Sequence, residues 1–396
     1  MDRRLSDLAA VLRAAESTPL QRKLPPAGFK ELLARLLPLC AGYGITRLGD
    51  LTGLDRIALP VIQAIRPAAL SEVTGLGRGT TREEAAVGAV MESLERFFSE
   101  TISPDRLFLA SAHELDIPAG LFEDHVRPEC RDGWRDVSIP WIDALDVSSG
   151  LPHPVPFELV HTCYTDPPPA GDGIFHRTTA GLACHTSATQ AFLYGLLECI
   201  ERDAIARAFI THGFFERMRL PSSKALGMES QWLLECAERG GLSIALWYAP
   251  SPTGVPVVWC QAIEAGSYEP ILALPTEGHA AGADLSKAAH TALLEALATR
   301  AAAISGARED QTRRHYRAVD DPLAVQAREL VTAETASDGI DAIQPFCPAD
   351  IGSLVKAVNA AGLGPVLAVP VGSDEENGIH CIRTILPASH SFAVVR

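Results

Sequence analysis

The sequence writes Glu-x-x-Glu-Arg twice, as ESLERFF at residues 92–98 and as ECIERDA at 198–204. Glutamates three apart share one side of an α-helix, and the arginine that follows sits one turn above the first glutamate. Two chemistries are open to such triplets. Within one helix Glu and Arg pair and solubilise it, worth a few tenths of a kcal/mol per pair. Brought together from several helices, the glutamates would repel one another by several kcal/mol unless cations were bound. Hard oxygen donors in that number suit Mg2+, which completes its shell with water and substrate phosphates, so a nucleotide triphosphate is the natural third party.

The elements around the triplets are repeated as well. A shift of 106 residues carries Gly75, Leu76, Thr80, Ala85, Glu92, Glu95 and Arg96 onto Gly181, Leu182, Thr186, Ala191, Glu198, Glu201 and Arg202. A further shift of 97 carries Gly181, Ala183, Ala191, Leu197 and Glu198 onto Gly278, Ala280, Ala288, Leu294 and Glu295, where the copy has Ala298 and Thr299 in place of the second glutamate and its arginine, with Arg300 next. Each copy reads as a glycine-containing turn leading into a helix that carries carboxylates. A spacing near 100 residues is too long for a solenoid and implies duplicated α/β lobes whose helices face one another. The turns TGLGRGTT (74–81) and TAGLACHTS (179–187) would offer backbone amides to phosphates, with Arg78, Arg96 and Arg202 offsetting charge. Neither is a Walker loop, and no G-x-G-x-x-G follows a strand.

The expected fold is therefore mixed α/β: duplicated lobes with mixed sheets and alanine-rich helices around a central nucleotide site. Residues 1–48 read as an N-terminal helical appendage, with helical patterns at Leu5–Ala15 and Phe29–Leu39 separated by Leu24-Pro25-Pro26; residues 49–396 form the main domain, its repeats at about 74–100, 180–206 and 277–303. Strands are expected at Leu59–Ile65, Leu242–Ala249, Pro256–Ala262, Pro365–Val371 and Ile379–Leu386, a loop at 166–173 and a charged turn at 373–378.

The 396 residues carry 34 Lys plus Arg against 49 Asp plus Glu, a net charge of -15, which makes nucleic-acid backbones and anionic membranes poor partners. The first residues alternate charged and apolar positions, unlike a signal peptide, and no run is long enough to span a bilayer, so a cytoplasmic protein is expected. Nine scattered cysteines without a C-x-x-C pair fit reduced thiols, and His-metal spacing such as H-E-x-x-H is absent.

These residues resemble the YcaO-type ATP-dependent enzymes that modify peptide backbone amides. GRGTTREEAAVGAVMESLERF is similar to the family's glycine-basic-glycine turn and first acidic helix, TAGLACHTSATQAFLYGLLECIERDA to its second, and GADLSKAAHTALLEALATRAAAISGARED to its third acidic segment; IRTILP resembles its V-R-x-x-V-P strand. The opening DLTGLDRIALPVIQAIRP looks most like the stand-alone branch associated with a TfuA-type partner. The resemblance implies ATP and Mg2+ as cofactors, with Glu92, Glu95, Glu198 and Glu201 as metal ligands and Glu295 a further member. It puts Arg78, Thr186, Gln190, Glu295 and Arg300 in the nucleotide site and gives Arg96 and Arg202 charge stabilisation, with no certain side-chain catalyst. Gly88, Ala180, His185 and Ala298 depart from the family's serine, asparagine, glycine and glutamine, and Arg78 replaces its lysine.

In the family's chemistry a nucleophile adds to the amide carbon, the oxyanion takes the γ-phosphoryl group of ATP, and phosphate leaves. The protein positions and stabilises charge. External sulfide gives a thioamide; a Cys, Ser or Thr side chain of the peptide gives an azoline. The TfuA-like resemblance favours thioamidation of a ribosomal precursor peptide or protein, with a TfuA-like protein as partner and a homodimer as the assembly. Cys184 or Cys199 would relay sulfur, and His185 or His279 protons, only if exposed and titrating suitably. The alternatives are an azoline-forming cyclodehydratase, a non-catalytic nucleotide- or peptide-binding scaffold, and an ATP-grasp-like ligase.

Overall fold

A computed structural model of the chain describes residues 2–20, 26–220, 226–265, 270–306, 316, 322–333 and 345–390. The Leu24-Pro25 part of the expected breaker and the end of GARED lie outside the described residues.

Three antiparallel sheets carry the helices. β1 (Arg47–Asp50), β2 (Val61–Ile65) and β3 (Thr74–Arg78) form the first, in that order. The second runs β4 (Leu107–Ala110), β5 (Ile139–Asp146), then β11 (Leu367–Asp374), β12 (Ile379–Ile385) and β7 (Leu182–His185), with β6 (Pro152–Pro156) paired to β5. The third is β8 (Leu242–Tyr248), β9 (Val257–Glu264) and β10 (Thr276–Ala281). The class is the expected mixture of helices and sheets, but every pairing among the described strands is antiparallel rather than mixed.

The helices are α1 (Arg3–Ala14), α2 (Pro26–Leu36), α3 (Arg82–Glu100), α4 (Ala188–Ile210), the single turn α5 (Phe214–Arg217), α6 (Gln231–Arg239), α7 (Leu285–Ser305), α8 (Pro322–Thr332) and α9 (Ile351–Ala360). Their ends follow ordinary capping chemistry. Thr81 accepts the amide of Glu84 at the start of α3 and Asp284 that of Lys287 at the start of α7, while Gly306 closes α7 at φ +74°. The leucines of α1, Leu5, Leu8 and Leu12, are buried in the core built around α4, and α2 packs on α3. The boundary expected at 48/49 falls within β1, which is bonded along its length to β2.

The three repeated segments are strand–helix units: β3–α3, β7–α4 and β10–α7. Each helix lies on its own strand and also touches the next unit's strand: α3 meets β7, α4 meets β10, and α7 returns to β3. The three units thus close into a ring. The glycines make this approach possible. A side chain at Gly77 would collide with the carbonyl of Ala85 and the amide of Ala89 on α3; at Gly278 it would strike the carbonyl of Ala292 and the amide of Ala296 on α7. Alanine on the facing helix surfaces completes the fit, with Ala85, Ala89, Ala288, Ala292 and Ala296 all inaccessible to solvent.

Candidate active site at the centre of the ring

The glutamates of the three helices converge on the ring's interior, three of them tied to backbone amides. Glu92 accepts the amide of Leu76 on its own β3 (2.8 Å), and Glu198 that of Gly181 beside its own β7 (3.1 Å). Glu95 reaches across to the amide of Cys184 on β7 (2.9 Å), which joins the first unit to the second. Arg78, at the end of β3, pairs with Glu295 of α7 (3.1 Å) and joins the third unit to the first. Arg202 lies 3.5 Å from both Glu198 and Glu201.

This concentration of buried charge raises proton affinity. Burial pushes Glu92 up against the pull of Arg96, and burial followed by the charges of Glu92 and Glu198 pushes Glu95 well above the carboxylate range. Glu201 is raised to about 8: burial dominates, Arg202 opposes it, and Glu295 and Glu198 add to it. Burial works against the charge on Arg202, yet Glu201, Glu198 and Glu295 outweigh it and hold the guanidinium protonated. One oxygen of Glu201 is buried without a hydrogen-bond partner among the described residues. Its 3.5 Å approach to Arg202 is electrostatic and too poorly aligned to count as a bond.

An orphaned carboxylate oxygen among mutually repelling glutamates fits a divalent cation, since a bound cation removes the repulsion and the missing partner together. Among the described residues no three His, Cys, Asp or Glu side chains are drawn close enough to share one ion. Mg2+ does not require such a group, since it takes one or two carboxylates and leaves the rest of its octahedron to water and phosphate oxygens.

Two cavities flank the cluster. The larger, about 640 Å3, is lined by Arg78, Gly88, Thr186, Lys287 and apolar side chains of α3, α4 and α7. The smaller, about 320 Å3, is lined by Arg96, Arg177, Arg202, Arg383, Tyr164 and Glu72 among others. Arg78 lines the larger cavity and Arg202 the smaller, and each is paired to cluster glutamates, so the cluster meets the two cavities through its arginines; none of the five glutamates is in either lining.

The expected site residues divide accordingly. Glu92, Glu95, Glu198, Glu201, Glu295, Arg78 and Arg202 come together. Thr186 lines the larger cavity, while Gln190, one turn along α4, is half-buried outside its lining. Arg96 turns to Glu72 (2.8 Å) and the smaller cavity. Arg300 does not join the site. It is buried between Asp55 (2.9 Å) and Glu264 (2.8 Å), because the single-residue offset from Arg202's equivalent turns it about 100° around the helix. The glycine segments are not phosphate loops in this arrangement: residues 74–78 and 182–185 are strand, and the amides of Leu76, Thr80 and Gly181 donate to Glu92, Glu84 and Glu198.

Cys199 is buried with its thiol raised to about 12 by burial and the charge of Glu198, which makes it a poor sulfur relay. His185 is lowered to about 4 by burial and its Nδ1 accepts the amide of Ser187, so it is neutral and engaged. Arg383, Arg177 and Tyr164 are additions to the sequence reading. The signal for Arg383 was an arginine inside the apolar strand IHCIRTI, a position where charge needs a reason.

Among known proteins, the chain is 30% identical over 365 residues to an uncharacterized protein of Methanothermobacter thermautotrophicus, covering 89% of this chain and 91% of that one. It is 28% identical over 366 residues to an uncharacterized protein in the tfuA 3' region of Rhizobium leguminosarum bv. trifolii, covering 88% and 84%. The structure of YcaO from Methanopyrus kandleri bound with AMPPCP and Mg2+ superposes with a TM-score of 0.69 at 24% identity, over 94% of this chain and 93% of that one. Residues 76–390 match the family model described as YcaO cyclodehydratase, ATP- and Mg2+-binding. Since that match takes in all three acidic helices and most of the chain, the protein belongs to the YcaO family.

Proposed function

We propose that this protein uses ATP and Mg2+ to activate a backbone amide of a ribosomal precursor peptide or protein, and that the product is a thioamide made with a TfuA-like partner supplying sulfur. The observation that carries the reading is the ring of five glutamates from three repeated units, joined to two cavities through its arginines and left with an orphaned, proton-hungry carboxylate. Family membership supports the nucleotide and the metal, and the likeness to a protein from a tfuA region supports the partner.

Glu92, Glu95, Glu198 and Glu201 would hold Mg2+, with Glu295, Arg78 and Thr186 on the nucleotide side. Bound ATP and Mg2+ would supply the phosphoryl group and the counter-charge for the amide oxygen. The chain's own part is positioning: Arg202 keeps Glu198 and Glu201 oriented, and Arg96 adds positive charge on the side of the smaller cavity, where it opposes the negative charge that develops during amide activation. The protein would act as a homodimer, checked by light scattering.

The family's description as cyclodehydratase favours a second reading, azoline formation from a Cys, Ser or Thr side chain of the peptide. Co-expression with a TfuA-like protein and a candidate precursor, followed by mass spectrometry, separates the two. Exchange of oxygen for sulfur supports thioamidation, loss of one water supports the azoline, and an unmodified peptide with no ATP turnover overturns both.

A further inference from the structure

The smaller cavity has a charge opposite to that of the molecule. In a chain of net charge -15, it is lined by four arginines, with Glu72 the lone carboxylate facing them. Two of the four are committed: Arg96 to Glu72 and Arg202 to Glu198 and Glu201. The other two make no ion pair with a carboxylate among the described residues, although Arg383 feels the charge of Glu198 through space. Arg383 is 1% exposed; its Nη2 donates to the carbonyl of Thr178 (2.7 Å), while Nε and Nη1 are buried without a hydrogen-bond partner among the described residues. Arg177 stands over the ring of Tyr164 (5.4 Å) with only a long bond to the carbonyl of Thr165 (3.4 Å). Tyr164 in turn donates to the same Thr178 carbonyl as Arg383 (2.7 Å), which fixes the two arginines around one wall.

A buried guanidinium with two vacant donors costs free energy that an oxyanion would recover through short, charge-assisted hydrogen bonds. We infer that this cavity is an oxyanion site in which Arg383 and Arg177 hold the inorganic phosphate released after amide activation. The inference rests on the function proposed above. Phosphate formed at the carboxylate cluster meets four arginines on this side, whereas the larger cavity presents the nucleotide-side residues Arg78 and Thr186. A carboxylate on the peptide substrate offers the same chemistry from another source.

The test is calorimetric titration of inorganic phosphate into the full-length protein saturated with a non-hydrolysable ATP analogue and Mg2+, so that the nucleotide site is filled. Saturable phosphate binding that weakens about ten-fold or more in Arg383→Lys and in Arg177→Gln is expected. Arg177 is exposed, so its variant carries the test if the Arg383 variant fails to fold. No phosphate binding, or binding unchanged in both folded variants, overturns the site. Binding of a capped aspartate peptide, sensitive to both substitutions, without binding of phosphate overturns the assignment to released phosphate. Analogue binding separates the two levels: if it persists while phosphate binding is absent, the cavity inference fails alone. If the analogue and Mg2+ do not bind but phosphate does, the proposed function fails alone.

Discussion

The first two acidic helices and the third began as copies and now do different work. In α3 and α4 the second glutamate and its arginine are kept; the glutamates of both triplets turn to the ring's interior, with Arg202 beside them and Arg96 turned to Glu72. In α7 only Glu295 remains there, held by Arg78, while Arg300 anchors the outer side of the ring to Asp55 and Glu264. A charged residue displaced by one position on a helix changes from a component of the site to a component of the framework. The difference teaches that the acidic centre needs three helices to enclose it but only two to supply most of its carboxylates.

The comparison is broken most forcefully at Glu198. Glu198→Gln should lower ATP-dependent phosphate release by about 10^2-fold or more, as loss of a principal electrostatic group does. Unchanged turnover would count against the assignment. Arg300→Met in the third unit should spare the site and weaken the framework. Removing one partner of a buried pair costs about 3–5 kcal/mol of stability in denaturant titration, while nucleotide affinity of the folded fraction stays the same.

Acidity sharpens the distinction further. Glu201 in the fold binds its proton up to about pH 8, whereas an unfolded chain releases it in the ordinary carboxylate range. The unfolded state therefore holds fewer protons between those limits, and the metal-free melting temperature should fall by a few degrees as pH rises through that window. Glu201→Gln should flatten the fall, and Mg2+ with an ATP analogue should offset it. The smallest effect is expected for Arg78→Lys. One contact of a 3.1 Å ion pair is replaced by another cation, so nucleotide affinity should change by about three-fold or less in a binding titration.

Much of this was legible in the sequence. The repeats gave the three strand–helix units, and apolar runs gave β2, β8, β9, β11 and β12 to within a few residues of their observed ends. The glycine segments were misjudged because glycine marks turns and close packing alike; which one applies depends on a helix that arrives later in the chain and lies on the strand. Strands β5 and β6 were hidden by proline at positions 140, 152, 154 and 156; β6 tolerates its three because it pairs with β5 alone, and Pro140 lies at the start of β5, opposite Leu109 of β4. The direction of Arg300 and the vacancy at Arg383 depend on partners far along the chain, and spacing along one helix or strand does not encode them.

Arg78 and Glu295 are separated by 217 residues, and their ion pair is the last link of the ring. A ribosome that has already produced the first two acidic helices must therefore keep translating through the third sheet and into the third acidic helix before that link can form. Until then the nascent chain carries exposed alanine faces and unshielded acidic side chains, a state in which slow, long-range closure leaves it open to chaperone capture or degradation. The closed ring thus arrives late, and a polypeptide that stops short of Glu295 would lack its last link whatever the integrity of the first two units.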